Sequence, residues 1–164
     1  MILSILTSGF SHDSEILAVG VKVFGGAKIW KRYEFPSEDR MISEFIDYFT
    51  GIDDKIVIGF NVMKFDLPLL MLRSRGLEGF GRFFRKINYA NIEDLFIVLT
   101  FMNKGEIRGL EHYCRKYGIP ACVSDRELVR LYETQRERFE NLFRNKLDVI
   151  GEIYKRIWGR IKEE

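Results

Sequence analysis

Residues 59–74 carry a single carboxylate, Asp66, at the junction of two predicted elements. Before it, Lys55–Asn61 is an almost wholly apolar run, which is typical of a central strand covered on both faces. After it, Pro68 stands where the first turn of a helix tolerates a missing N–H. An acid at such a junction either caps the helix, which stabilises it by about 1 kcal/mol, or serves as an oxygen ligand for a divalent cation.

A second set of candidate residues is basic and aromatic. The segment Arg73–Lys86 holds five cations and three phenylalanines against one acid, Glu78. Cations suit phosphates and rings suit unpaired bases, so this composition predicts a platform for single-stranded nucleic acid. Phenylalanines in the core beneath solvated cations would give the same composition. The candidate contacts are Arg73, Arg75, Arg82, Arg85 and Lys86, with Asn61 and Phe65 before them.

Hydrophobic periodicity predicts the elements that position these residues. Strands are expected at Ile2–Leu6, Ile16–Phe24, Ala27–Phe35, Lys55–Asn61 and Ile87–Ile92. Ser37 and Asp66 are each expected to cap a helix. Further helices are expected at Leu95–Met102, at Leu110–Tyr117 and over Arg126–Lys162. The order predicts an α/β domain with a mixed central sheet flanked by helices.

Composition gives the class of protein. The 164 residues are 46% hydrophobic and 30% charged, which is typical of one ordinary globular domain. The chain lacks a long apolar run and a basic leader, so we expect a cytoplasmic protein without a membrane span. Cys114 and Cys122 lack the spacing of a zinc site and are expected to be buried thiols.

The net charge of +2 conceals an asymmetry between the two halves. Residues 1–72 carry 7 Lys and Arg against 10 Asp and Glu, whereas residues 73–164 carry 19 against 14. A polyanion would therefore approach the second half more readily than the first.

The stretch Gly59–Ser74 resembles the second exonuclease motif of family B DNA polymerases, in which G-[YF]-N-x-x-x-F-D-L-P-[YL]-L precedes the proofreading site. Three softer matches follow in the same order at Ile92–Phe96, Gly109–Ile119 and Asn145–Val149. The resemblance extends to the DEDD exonuclease superfamily and covers most of the chain. It implies one ribonuclease H-like domain over residues 1–164.

The resemblance also implies a chemistry. In that family four carboxylates hold two divalent ions about 4 Å apart, and the ions cleave a phosphodiester bond. Asp66 matches the second motif and Asp148 the third, but residues 4–9, where the first motif falls, contain no acid. Arg144 and Phe143 stand where the family has the tyrosine or histidine that orients water. The implied site is degenerate, with Asp66 and Asp148 as remnants that bind at most one ion weakly.

One alternative restores the acids. Asp13 and Glu15 have the Asp-x-Glu spacing of the missing motif and lie in the first predicted hairpin. If that loop folded back, these two acids would join Asp66 and Asp148 as ligands of Mg²⁺ or Mn²⁺. An acidic loop is more often simply solvated.

Three functions follow from the sequence and the resemblance. The leading hypothesis is a degenerate 3′–5′ exonuclease domain that binds single-stranded DNA or RNA, a replication or repair protein, or both, without needing a cofactor. The second is an active metal-dependent 3′–5′ exonuclease that uses the relocated acids. The third is a protein-interaction module that does not bind nucleic acid.

Overall fold

The computed structural model describes residues 1–9, 11, 13–24, 26–120 and 123–161, with the main chain alone for 159–161. Five strands form one sheet in the order β3-β2-β1-β4-β5. They are β1 (Ile2–Thr7), β2 (Ile16–Val23), β3 (Gly26–Lys31), β4 (Ile56–Gly59) and β5 (Asn91–Asp94). The first three strands form an antiparallel meander, whereas β1, β4 and β5 run parallel. The carboxyl ends of these parallel strands therefore share one edge of the sheet.

Seven α-helices occupy the described part of the chain. They are α1 (Glu38–Gly51), α2 (Leu67–Arg73), α3 (Phe80–Tyr89), α4 (Leu95–Met102), α5 (Leu110–Tyr117), α6 (Asp125–Thr134) and α7 (Arg136–Ile161). Ser37 caps α1 as predicted, because its hydroxyl accepts a hydrogen bond from the N–H of Arg40 at 3.2 Å. Gly118 ends α5 in the left-handed conformation, with φ of 62°.

The helices cover both faces of the sheet. Helices α1, α2 and α3 pack on one face, where Leu3 and Ile5 of β1 join their core. Helices α4 to α7 pack on the other face, where Leu6 joins a cluster with α6 and α7. Neighbouring side chains of a strand point to opposite faces, so β1 contributes to both cores. This arrangement confirms the predicted α/β class with a mixed sheet between helices.

Three predicted boundaries are wrong. The third strand ends at Lys31, where a short 3₁₀ turn begins. Residues 80–89 form α3 instead of a loop and the start of a strand, because Phe83 and Ile87 lie four apart and are buried together. The predicted C-terminal helix is interrupted at Gln135 and forms α6 and α7, and its predicted end at Lys162 lies outside the described residues.

Two further observations concern the class of protein. Cys114 is buried and disulfide-bonded, so the prediction of a free thiol is wrong there, and Cys122 lies outside the described residues. No helix within the described ranges is long and apolar enough to cross a membrane.

Candidate functional site

A cleft of about 520 Å³ opens at the edge of the sheet where the parallel strands end. Ligands of open α/β sheets bind at this edge, beyond the carboxyl ends of the strands. Its walls come from the end of β1, the segment after β4, the starts of α4, α5 and α6, and one side chain of α7. The residues that matter below are Phe60, Asn61, Phe65, Asp66, Phe96, Asp125 and Lys146.

Asp66 lines this cleft and is only 6% exposed. Its Oδ2 accepts a hydrogen bond from the main-chain N–H of Ile5 at 3.1 Å. It does not cap α2, because its own backbone is already helical and no capping hydrogen bond forms. The predicted cap is therefore wrong, and the carboxylate instead satisfies a main-chain donor of β1.

The burial of Asp66 shifts the pKa of its carboxyl group. Desolvation raises its pKa to about 7, although the Lys146 ammonium and the Ile5 hydrogen bond both lower it. The charges of Asp125 and Asp94 add to the upward shift. Near neutral pH the carboxyl group is therefore protonated in a large share of the molecules. A cation that bound Asp66 would first have to displace this proton.

Lys146 is the residue of α7 that lines the cleft. Its side chain is 9% exposed, and its Nζ donates a hydrogen bond to Oδ1 of Asp125 at 2.6 Å. Asp125 stands in the first turn of α6, where the helix dipole favours a negative charge. The cleft therefore contains a buried ammonium group close enough to Asp66 to lower its pKa.

Asp94 does not line the cleft, but its carboxylate binds the main chain of the residues that form the wall. Its Oδ1 accepts hydrogen bonds from the N–H groups of Asn61 at 2.9 Å and Phe96 at 3.0 Å. Its Oδ2 accepts a third from the N–H of Met63 at 2.9 Å. One buried carboxylate thus caps α4 and fixes the segment after β4. This role is structural, because all three donors belong to the main chain.

Asn61 and Phe65 both line the cleft, together with Asp66. Asn61 has a left-handed backbone with φ of 63°, which turns the chain from β4 into a π-helical turn over Val62–Asp66. The rings of Phe60 and Phe96, also in the wall, meet edge to face with 5.6 Å between their centroids. Phe65 is half-buried and also packs on the core. Among the described residues, three aromatic rings therefore border the cleft.

Asp148 does not line the cleft. It is exposed on α7 and forms an ion pair with Lys22 of β2. Arg144 also lies away from Asp66, because its guanidinium donates to the carbonyl of Ala27 in β3 at 2.8 Å. Residues two apart on a helix point in different directions, so Lys146 and Asp148 cannot both face the cleft. The structure thus corrects the expectation that Asp148 stands beside Asp66.

Asp13 and Glu15 do not line the cleft either. Both are exposed, and the Glu15 carboxylate forms an ion pair with Arg32 at 2.9 Å. The described residues of the first hairpin therefore do not bring these two acids to Asp66.

The five predicted cations of Arg73–Lys86 lie outside the cleft, and two of them support the fold. Arg73 donates to the carbonyl of Ser14 at 2.9 Å and pairs with Glu38 at 3.5 Å. Lys86 donates to the carbonyl of Ile52, at the end of α1.

The other three cations lie on the surface. Arg82 pairs with Asp47 at 2.9 Å, Arg85 donates to the carbonyl of Gly81 at 3.3 Å, and Arg75 is exposed. Phe83 is buried beneath them, whereas Phe84 is exposed. The segment is therefore a basic surface distinct from the cleft, and its phenylalanines divide between core and solvent.

The residues of the cleft do not fit a pair of divalent cations. Within the described ranges, no three His, Cys, Asp or Glu side chains converge as a metal site. Hard cations take several oxygen ligands each, and two of them need matching negative charge. Asp66 instead shares the cleft with the ammonium group of Lys146. The end of β1 contributes the buried Leu6 to the cleft and no acid.

Sequence reasoning missed Lys146, Asp125 and the anchoring role of Asp94. A signal for Lys146 was present, because it lies four residues from both Leu142 and Ile150 on the apolar stripe of α7. A lysine within such a stripe is buried or reaches out through it. Asp125 had no comparable signal, because its partner is 21 residues away.

Comparison with protein families agrees with this architecture. The family described as DNA polymerase family B, exonuclease domain, matches residues 3–110, from β1 to the first residue of α5. No curated protein matches the chain. The matched residues include Asp66 and the segment after β4, whereas Lys146 lies beyond them. The match and the mixed five-stranded sheet support the ribonuclease H-like exonuclease fold. The chain therefore belongs to the family of exonuclease domains of family B DNA polymerases.

Proposed function

We propose that this domain binds an end of single-stranded nucleic acid in the cleft and does not cleave it. The observation that carries the proposal is the ion pair of Lys146 with Asp125, 2.6 Å long, in the cleft that Asp66 lines. Two-metal cleavage requires carboxylates that bind both ions. With an ammonium group in the same cleft as Asp66 and no acid on β1, this cleft is not equipped for that reaction.

Aromatic walls support retained binding. Phe60, Phe65 and Phe96 border a cleft whose volume of about 520 Å³ lies in the range of small-molecule sites. An unpaired base presents a flat face on which such rings stack, for about 1–3 kcal/mol per base. In a duplex those faces are covered by stacking on the neighbouring base pairs, so the cleft favours a single strand. Asn61 adds a side-chain amide that donates and accepts hydrogen bonds.

A specific observation favours a second candidate, a protein partner from replication or repair. Helix α4 is apolar at every position except Thr100, and its Ile97, Phe101 and Met102 are exposed, as is Ile107 in the following loop. Exposed apolar patches of this kind mark interaction surfaces. The patch adjoins the cleft through Phe96, so one domain has room for both contacts.

The first experiment measures binding and cleavage on the same strands. Single-stranded DNA and RNA of about 10 nucleotides, a length within the usual range of site sizes, are end-labelled and titrated with the protein at several salt concentrations. The same strands are then incubated with Mg²⁺ or Mn²⁺, beside an Asp66→Asn variant. We expect affinity that falls with salt, as phosphate contacts require, and label that stays intact.

Each other outcome favours a different function. Loss of label that disappears in Asp66→Asn would contradict the proposal and favour an active exonuclease. Absence of binding to either strand at low salt would also contradict it and favour the protein-interaction module.

A matched pair of variants tests where the single-stranded nucleic acid binds. Phe65→Leu removes a ring from the cleft, and Phe84→Leu makes the same change on the basic surface of α3. We expect Phe65→Leu to weaken binding several-fold and Phe84→Leu to leave it unchanged. The reverse result would move the binding site to residues 73–86.

A further inference from the structure

The ammonium group of Lys146 has unused hydrogen-bonding capacity. It carries three N–H donors, and among the described residues its one hydrogen-bond acceptor is Asp125, at 2.6 Å. The ammonium also lies over the Phe143 ring, 5.9 Å from its centroid, and this cation–π contact at the limit of its range leaves the other N–H donors unoccupied. The side chain is 91% buried, yet it lines the cleft. Donors that the protein leaves unused in a buried position are available to a ligand in that cleft.

We propose that Lys146 is the phosphate-binding group of the cleft and replaces the divalent cations there, so that the strand binds without metal. This inference rests on the proposed function and adds to it the contact and its independence of divalent ions. A nucleic acid phosphate is the ligand class that fits, because it offers several anionic oxygens to one ammonium group.

The surroundings of Lys146 support an anion rather than a metal ion as its ligand. An ammonium group repels a cation placed next to it, whereas it attracts a phosphate. Asp125 is 45% exposed on its side chain, so water can solvate it while the ammonium group is shared with a phosphate. Arg126, at the start of α6, adds a second cation to the wall of the cleft. The acids of the wall, Asp66, Asp125 and Glu111, do not converge as a metal site within the described ranges.

The experiment is a binding titration in EDTA by fluorescence anisotropy, with the labelled single strands already described. Lys146→Met removes the ammonium group and keeps an unbranched side chain that is shorter by one atom. Lys22→Met is its matched control, because Lys22 also forms an ion pair with an aspartate but lies outside the cleft. Both variants lose one positive charge, so general electrostatic attraction falls equally.

We expect the wild-type protein to bind in EDTA as tightly as in Mg²⁺. Lys146→Met should weaken binding about tenfold or more, as the loss of a charged hydrogen bond does, and should reduce the salt dependence by about one phosphate contact. Lys22→Met should change affinity less than about twofold, as a rim charge does.

Asp125→Asn tests the same role of Lys146 through a gain of affinity. Misfolding of Lys146→Met could imitate a loss of affinity, but misfolding does not produce a gain. The Asp125→Asn substitution removes the negative charge that competes for the ammonium group, so we expect tighter binding. A purely structural ion pair predicts a gain no larger than that of Asp148→Asn, which removes the same charge outside the cleft. Circular dichroism and thermal melting identify any variant that fails to fold.

The outcomes separate the inference from the proposed function. Binding only in Mg²⁺, or equal affinities for Lys146→Met and Lys22→Met, would overturn the role of Lys146 and leave the proposed function standing. Weaker binding by Asp125→Asn would also overturn it. Absence of wild-type binding in both EDTA and Mg²⁺ would overturn both.

Discussion

The carboxylate of Asp66 accepts a hydrogen bond from the main-chain N–H of Ile5, 61 residues earlier, at 3.1 Å. Strand β1 is paired with β4 near Ile2 and Ile58. After Gly59 the chain leaves the sheet, and Asp66 returns to supply an acceptor further along β1. An acid that matches a metal-binding motif thus satisfies the backbone of the central strand.

The pH dependence of stability should reveal the buried state of Asp66. Its folded pKa of about 7 lies above the ordinary aspartate pKa of 3.8, so the folded state holds a proton that the unfolded state releases. Stability from this group is therefore complete below about pH 4 and is lost as pH rises to about 7, by about 4 kcal/mol in total. Asp66→Asn stays neutral and keeps an oxygen for the Ile5 N–H. Its stability advantage over wild type should grow by roughly 3 kcal/mol between about pH 5 and pH 8.

Urea denaturation at the two pH values measures this change. Asp148→Asn is the control, because it alters an exposed carboxylate of a surface ion pair, and we expect its effect to stay within about 1 kcal/mol at both pH values. An Asp66→Asn advantage that is the same at both pH values would show that Asp66 is ionised throughout.

Asp94→Asn should destabilise the domain more than the same substitution at an exposed aspartate does. Asp94 accepts three main-chain hydrogen bonds, and an amide group has one oxygen for the two positions that they occupy. In either orientation an NH₂ group then faces an N–H donor, so we expect the free energy of unfolding to fall by about 2–4 kcal/mol. Denaturant unfolding beside Asp47→Asn, which loses only a surface ion pair, provides the comparison. A loss below about 1 kcal/mol would mean that these hydrogen bonds contribute little.

Gly59→Ala should strain the turn out of β4. A methyl group at residue 59 would lie 2.6 Å from Cβ of Val62 and 3.0 Å from the carbonyl oxygen of Leu3. Neither atom is the end of a flexible side chain, so the backbone must move, at about 1–3 kcal/mol. Gly51→Ala at the end of α1 meets no atom within 4 Å and should be neutral or slightly stabilising. Thermal melts of both variants test this, and equal melting temperatures would contradict it.

Arg73→Ala should affect folding rather than binding. The guanidinium donates to the carbonyl of Ser14 and pairs with Glu38, so its loss should lower the free energy of unfolding by about 1–3 kcal/mol. Arg75→Ala removes the same charge from an exposed position and should change stability by less than about 0.5 kcal/mol. The two variants should bind single strands equally. A selective loss of affinity in Arg73→Ala, at unchanged stability, would assign Arg73 to the binding site.

Much of the fold was predictable because local patterns specify it. Alternating or wholly apolar runs predicted β1 to β4, and helical spacing predicted α1. Helices α4 and α5 have the bounds that the sequence predicted. The predictions failed where one pattern suited two structures. Phe83 and Ile87 are consistent with a loop and a strand, but packing against α1 selects a helix.

The sequence by itself determined the family, the sheet and the position of Asp66 beside Asn61 and Phe65, because these residues are close along the chain. Only the tertiary structure decided which side chain of α7 lines the cleft. A step of two residues turns a helix by about half a revolution, so Asp148 reaches the surface and Lys146 the cleft. Likewise, the hydrogen-bond partner of Asp66 lies 61 residues away and that of Lys146 lies 21 residues away. Asp94 accepts hydrogen bonds from N–H groups 31 and 33 residues away, and its bond from the Phe96 N–H is local. Contacts of that separation depend on how the elements pack, and no local pattern encodes them.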